Sequence, residues 1–241
     1  LWKVAWRLAP PAVIAMLLYG FNGVMDAIFV GRYCGEVALA GVSIAGNLTS
    51  FAMGFGALVG VGAGSVLSIA IGARDADTQR RVIANLNGLS LVLSAGAIAV
   101  LLLVAEPFLR LMGASGEVLD HALSYFRLML AGLPFTVHGL GVNMVVRAEG
   151  RMGRAAVMMS SGLVVNIACN YLFMGPLGLG VAGAAWGTNV GMLVYSLVGL
   201  RYLASGQASF EARPFSIGLD KGIAGKILST GSSSLIMSIM T

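Results

Sequence analysis

Five side chains carry the groups with which this chain could do chemistry. Asp26 and Asn22 lie four residues apart, Asn166 and Asn170 are again four apart, and Thr188 follows. A spacing of four puts each pair on one face of a helix. A carboxylate among amide and hydroxyl oxygens suits a proton or a hard cation such as Na⁺, whose ligands are oxygens. The plainer reading is that each Asn and Thr only bonds a neighbouring helix. No Ser/His/Asp, HExxH or paired-carboxylate arrangement is present, so enzymatic chemistry is not expected. Cys34 and Cys169 stand alone, outside any metal or redox spacing, and no cofactor is implied.

The frame that must position these groups is apolar. Hydrophobic residues make up 58% of the 241 residues, charged ones 10%, and mean hydropathy is +0.89. A soluble domain carries roughly 25% charged residues, so the chain reads as an all-α integral membrane protein with the lipid bilayer as its surroundings. Six spans are expected near 8–30, 38–72, 82–104, 118–146, 155–174 and 181–203, with a seventh starting near 223. The second and fourth exceed what one crossing needs and must tilt or bend, and Pro134 predicts a kink in the fourth. Pro10 and Pro11 predict a loosened start to the first. In the second span Ala52, Gly56, Gly60, Gly64, Ser68 and Gly72 recur every four residues, a small-residue seam that predicts a close helix contact. The GVGAGS run at 60–65 lacks the Gly-Lys-Ser/Thr ending of a phosphate loop and lies in a span, which argues against nucleotide binding.

Twelve of the fifteen basic residues flank these spans on one side: Lys3, Arg7, Arg74, Arg80, Arg81, Arg147, Arg151, Arg154, Arg201, Arg213, Lys221 and Lys226. The excess of basic loops on the cytoplasmic side then places the N-terminus in the cytoplasm. The net charge of +5 is therefore a topology signal and not a nucleic-acid footprint. With that orientation the first, fifth and sixth spans set Asp26, Asn22, Asn166, Asn170 and Thr188 in one layer, roughly 6–12 Å below the outer surface at helical rise. A buried carboxylate costs roughly 3 kcal/mol in a bilayer on insertion scales, so it normally faces a protein or water-filled interior. His138, Asn143 and Arg127, along the fourth span, are weaker candidates for lining a substrate cavity.

NGVMDAIFVGRYCGEVALAGV at 22–42 and RAEGRMGRAAVMMSSGLVVNIACNYLFMGPLGLGVAGAAWGT at 147–188 resemble the first-helix and the fourth-to-sixth-helix signatures of MATE (multidrug and toxic compound extrusion) transporters. The resemblance covers the whole chain. It implies a six-helix N-terminal lobe plus the start of a seventh helix, half of a twelve-helix transporter whose C-terminal lobe is missing. Residues 1–205 would form the lobe, 206–222 a cytoplasmic inter-lobe linker, and 223–241 the start of the second lobe. The KILSTGSSSLIMSI stretch at 226–239 echoes WRLAPPAVIAMLLY at 6–19, as the start of a second repeat would. The implied function is secondary antiport at a bacterial inner membrane, with H⁺ or Na⁺ entering as a small organic, often cationic, compound leaves. In the archaeal branch of the family the N-lobe ion site has an aspartate, an asparagine and a threonine, matched here by Asp26, Asn166 and Thr188. Those relatives carry a second aspartate where this chain has Asn170. One negative charge in place of two favours the proton over Na⁺. A flippase for lipid-linked saccharides shares the architecture but lines its cavity with basic residues, of which only Arg127 is a candidate. A non-transporting membrane scaffold would leave Asp26 without a role.

Overall fold

The computed structural model describes residues 20–237 in full and assigns helix to the flanking backbone from Trp2 and to Met240. Lys3, Arg7, Pro10, Pro11 and the 6–19 stretch lie outside the fully described residues, as does the end of 226–239. The chain runs α1 (Trp2–Gly72), α2 (Ala76–Leu111), α3 (Gly116–Ala131), α4 (Leu133–Ala148), α5 (Met152–Met174), α6 (Gly180–Ala204) and α7 (Lys221–Met240). Among the described residues four helices are long and apolar enough to cross a membrane, five if the bent α3–α4 pair counts as one span.

The 53 described residues of α1 are more than twice the roughly 20 that one crossing needs. Helical geometry is interrupted once in them, at Gly35, where φ is +85° and ψ 179°. That conformation is open essentially to glycine alone, so Gly35 divides α1 into two arms, the expected first and second spans. The small-residue seam lies on the second arm, and its partner is α4. A Cβ on Gly60 would sit 3.1 Å from the Leu140 carbonyl oxygen, and one on Gly64 would sit 3.1 Å from that of Met144. Such spacing is reachable only where a side chain is missing. Ser68 and Gly72, expected in the same contact, are exposed. Met144 already lies one turn from the end of α4, so the seam face of the arm's last turns runs past it.

The kink expected at Pro134 is a full break. Here α3 and α4 meet at 55°, with Gly132 between them. Proline has no N–H to donate, and its ring collides with the carbonyl four residues back. The Gly132 N–H turns to the Met129 carbonyl at 3.1 Å, and the Leu128 carbonyl is met instead by Asn189 Nδ2 of α6 at 2.7 Å. The Asn189 side chain occupies the space a Cβ on Gly132 would need. One proline and one asparagine from another helix together hold the bend.

At the other end of α1, Arg74 and Asp75 turn the chain into α2. Asp75 caps α2, its Oδ1 accepting from Thr78 N at 3.1 Å. Bonds from Thr78, side chain first, hold the Asp75 carboxyl below the ordinary carboxylate range.

Candidate functional site

Helices α5 and α6 pack closely along their length, and glycines set the depth of the pairing. Gly183, Gly187 and Gly191 recur every four residues along α6. A Cβ on Gly191 would lie 2.8 Å from the Gly162 carbonyl oxygen of α5 and 2.9 Å from Asn166 Cβ. At Gly187 the Asn170 amide itself fills the space a Cβ would take. This second small-residue seam is legible as a spacing of four in GVAGAAWGTNVG, and the sequence reading passed over it. It lets Asn166 (3% exposed), Asn170 (0%) and Thr188 (4%) sit between two backbones and still reach the first arm of α1.

There they meet Asp26. Asn170 Nδ2 donates to Asp26 Oδ1, and Thr188 Oγ1 lies 3.5 Å from Asp26 Oδ2. The Asn166 amide has two orientations. In one, Nδ2 donates to Thr188 Oγ1 at 3.1 Å and Oδ1 accepts from Asn170 Nδ2 at 3.3 Å. In the other, Nδ2 donates to Asn22 Oδ1 at 3.0 Å and Asp26 Oδ1 at 3.3 Å, while Oδ1 accepts from Thr188 at 3.1 Å. The second leaves no acceptor facing an acceptor. Asn22, Asp26, Asn166, Asn170 and Thr188 thus converge on one point between three helices. Tyr125 of α3, which the sequence reading did not single out, is buried within electrostatic reach of Asp26.

The arrangement is chemically one-sided. Every group bonded to Asp26 is a neutral donor, and none of the ion pairs among the described residues involves it. The buried Oδ1 of Asn170 has no partner. A carboxylate with an orphaned amide oxygen beside it can take up a proton or a hard cation, and it offers no activated nucleophile.

The three weaker candidates do not converge. Arg127 of α3 is exposed. Asn143 is 1% exposed, and its amide is used in the α4–α5 contact, donating to the Ala155 carbonyl at 2.9 Å while Oδ1 accepts from Arg147 at 2.8 Å. His138 pairs with Ser196 Oγ of α6 at 2.7 Å. The break at Gly132 puts Arg127 on a different axis from the other two. Asn143 and His138 are engaged in helix contacts, while Arg127 is not.

The MatE family model matches residues 11–172. The chain is 25% identical to a Multidrug export protein MepA of Staphylococcus saprophyticus over 230 residues, 95% of this chain and 51% of that protein. It is also 25% identical to one from Staphylococcus aureus (strain MRSA252), covering 99% of this chain and 53% of that protein. The fold superposes on a crystal structure of MATE in the bent conformation with a TM-score of 0.88 and 30% identity, covering 97% of this chain and 52% of that one. It matches an outward-facing multidrug resistance MATE family transporter of the MOP superfamily with a TM-score of 0.89 and 30% identity, over 98% of this chain and 52% of that one. The chain therefore spans about half the length of the curated relatives it matches. With the family model covering most of its length and the whole lobe superposing on solved relatives, the chain belongs to the MatE family of membrane transporters.

Proposed function

We propose that this chain forms the N-terminal lobe of a secondary antiporter, in which entry of H⁺ or Na⁺ at Asp26 drives export of a small organic cation. The observation that carries the reading is the bonding of Asp26. Its carboxylate joins the first arm of α1 to α5 and α6 through side chains alone. A proton arriving there removes the charge and turns one carboxylate oxygen into a donor, so the bonds from the Asn170 and Asn166 amides weaken. The first arm, joined to the rest of α1 through the single non-helical Gly35, is then free to take a new position. A Na⁺ ion would be held by the Asp26 oxygens and the Asn170 and Asn166 carbonyls, and it would displace the same donors. No resident cofactor enters this scheme. Residues 1–205 would be the lobe, 206–222 the inter-lobe linker and 223–241 the start of the second lobe.

The test is efflux of a fluorescent organic cation from proteoliposomes of the full-length protein, driven by an imposed pH gradient or an imposed Na⁺ gradient. Transport under the pH gradient alone is expected, and no transport under either gradient overturns the reading. Asn170→Asp restores the second carboxylate of the archaeal pattern. It is expected to move the dependence toward Na⁺, read as faster efflux under the Na⁺ gradient, and an unchanged ion preference would show that residue 170 does not select the ion.

The excess of basic loops on one side orients the lobe with its N-terminus in the cytoplasm of a bacterial cell, at the inner membrane. Single cysteines at the exposed positions Asp77 and Gln207, in a chain with Cys34 and Cys169 replaced, are expected to react only from the cytoplasm. One at Ser115 is expected to react only from outside. External labelling at Asp77 would invert the topology.

A further inference from the structure

Residues 211–220, between α6 and α7, are neither a helix nor a slack tether. After a turn at 214–215, closed by Ser216 N donating to the Arg213 carbonyl at 3.1 Å, the segment runs along the start of α2 and is tied to it at 214, 216, 218 and 220. Asn87 Nδ2 donates to the Pro214 and Ser216 carbonyls, both at 2.9 Å. Gly218 N donates to the Ala84 carbonyl at 3.0 Å, and Asp220 N donates to Asn85 Oδ1 at 2.7 Å. Gly88 allows the approach, because a Cβ there would collide with the Gly218 carbonyl oxygen. The Asp220 carboxyl then caps α7. Backbone N–H groups, that of Ile223 first, hold it below the ordinary carboxylate range.

Along it Phe215, Ile217 and Leu219 are 79%, 68% and 52% exposed, the residues between them less so, and the foot of the Leu219 side chain rests over Gly88 of α2. Three large exposed apolar side chains at alternate positions are not what a water-bathed linker presents.

We propose that this strap is seated in the membrane interface on the side of the basic loops, with Phe215, Ile217 and Leu219 inserted among the lipids. Its attachment points, Ala84 to Gly88, lie three to seven residues beyond Arg81, roughly 5–10 Å along the helix. That is the depth which amphipathic interfacial elements reach. The apolar face is continuous with a lipid-directed patch of α2, since Leu91 and Val92, one turn further on, are 50% and 55% exposed. Four of its backbone groups, the Pro214 and Ser216 carbonyls and the Gly218 and Asp220 N–H groups, are bonded to α2, which lowers the cost of leaving bulk water. Lys221 and Lys226, exposed on the first turns of α7, suit anionic headgroups beside it. The strap then does more than join two elements. It anchors the start of α7 to both α2 and the bilayer surface.

Spin labels placed singly at 215, 217 and 219 of the full-length protein in phosphatidylglycerol-containing vesicles test this, with Gln207→Cys as the water-exposed reference and native cysteines replaced. The expected result is several-fold higher collision with oxygen than with a water-soluble nickel chelate at all three sites, and the reverse at 207. High nickel access at the three sites would place the strap in water and overturn the proposal. Low access to both reagents would show protein covering it and overturn it equally. A label-free arm uses Phe215→Trp, which should be quenched by lipids brominated on the acyl chain beyond the parent's own tryptophans. Absence of extra quenching in a correctly inserted protein also refutes it.

Discussion

Replacing Asp26 by Asn in the full-length protein is expected to lower ion-driven efflux to the level of cells without the transporter, with expression and membrane insertion intact. The substitution keeps the shape of the side chain and removes its ability to gain or lose charge. It also sets a neutral amide against the Asn170 and Asn166 amides and Thr188, all of which stay satisfiable by reorienting. Insertion should therefore survive, because the site loses a buried charge and gains no clash. Efflux should not, because residue 26 can then neither take up and release a proton nor offer a charge to a cation. Transport by Asp26→Asn at the parental rate with the same pH dependence would reduce the polar layer to packing.

Gly187→Ala should act on the same site from behind. The Asn170 amide stands where the new Cβ would go, and the Asn170 backbone nitrogen would lie 3.2 Å away. Either the amide swings off Asp26 or α5 and α6 part. Overpacking of this kind typically costs about 1–3 kcal/mol. The expected outcome is a lower unfolding temperature in detergent together with loss of most ion-driven efflux. Ser68→Ala on α1, exposed and without a packing partner, should change neither. Full transport by Gly187→Ala would mean that the Asn170–Asp26 bond is not needed.

What the sequence disclosed follows from which forces are local. Apolar runs and the isolated Asp26 are properties of single segments, and they were enough to mark the spans and to nominate the residues of the candidate site. Depth alone grouped Asp26, Asn166, Asn170 and Thr188, because helical rise turns residue counts into height. The pairings needed more. Asn143 and His138 sit at heights compatible with a cavity, yet both side chains are taken by neighbouring helices, and a partner on another helix leaves no mark on spacing. The second glycine seam was present in the sequence at 183, 187 and 191. The strap was read only as a linker, since its backbone bonds depend on Asn85 and Asn87 of a distant helix.

The bend between α3 and α4 carries an evolutionary consequence. Gly132 is small because Asn189 fills its place, and Asn189 is there because the broken turn leaves the Leu128 carbonyl needing a donor. Neither position can change alone. A side chain at 132 evicts the asparagine, while losing the asparagine strands a carbonyl inside the membrane. Relatives that lack the break should differ at 132, 134 and 189 together, so these three sites should drift as one unit while their neighbours vary freely.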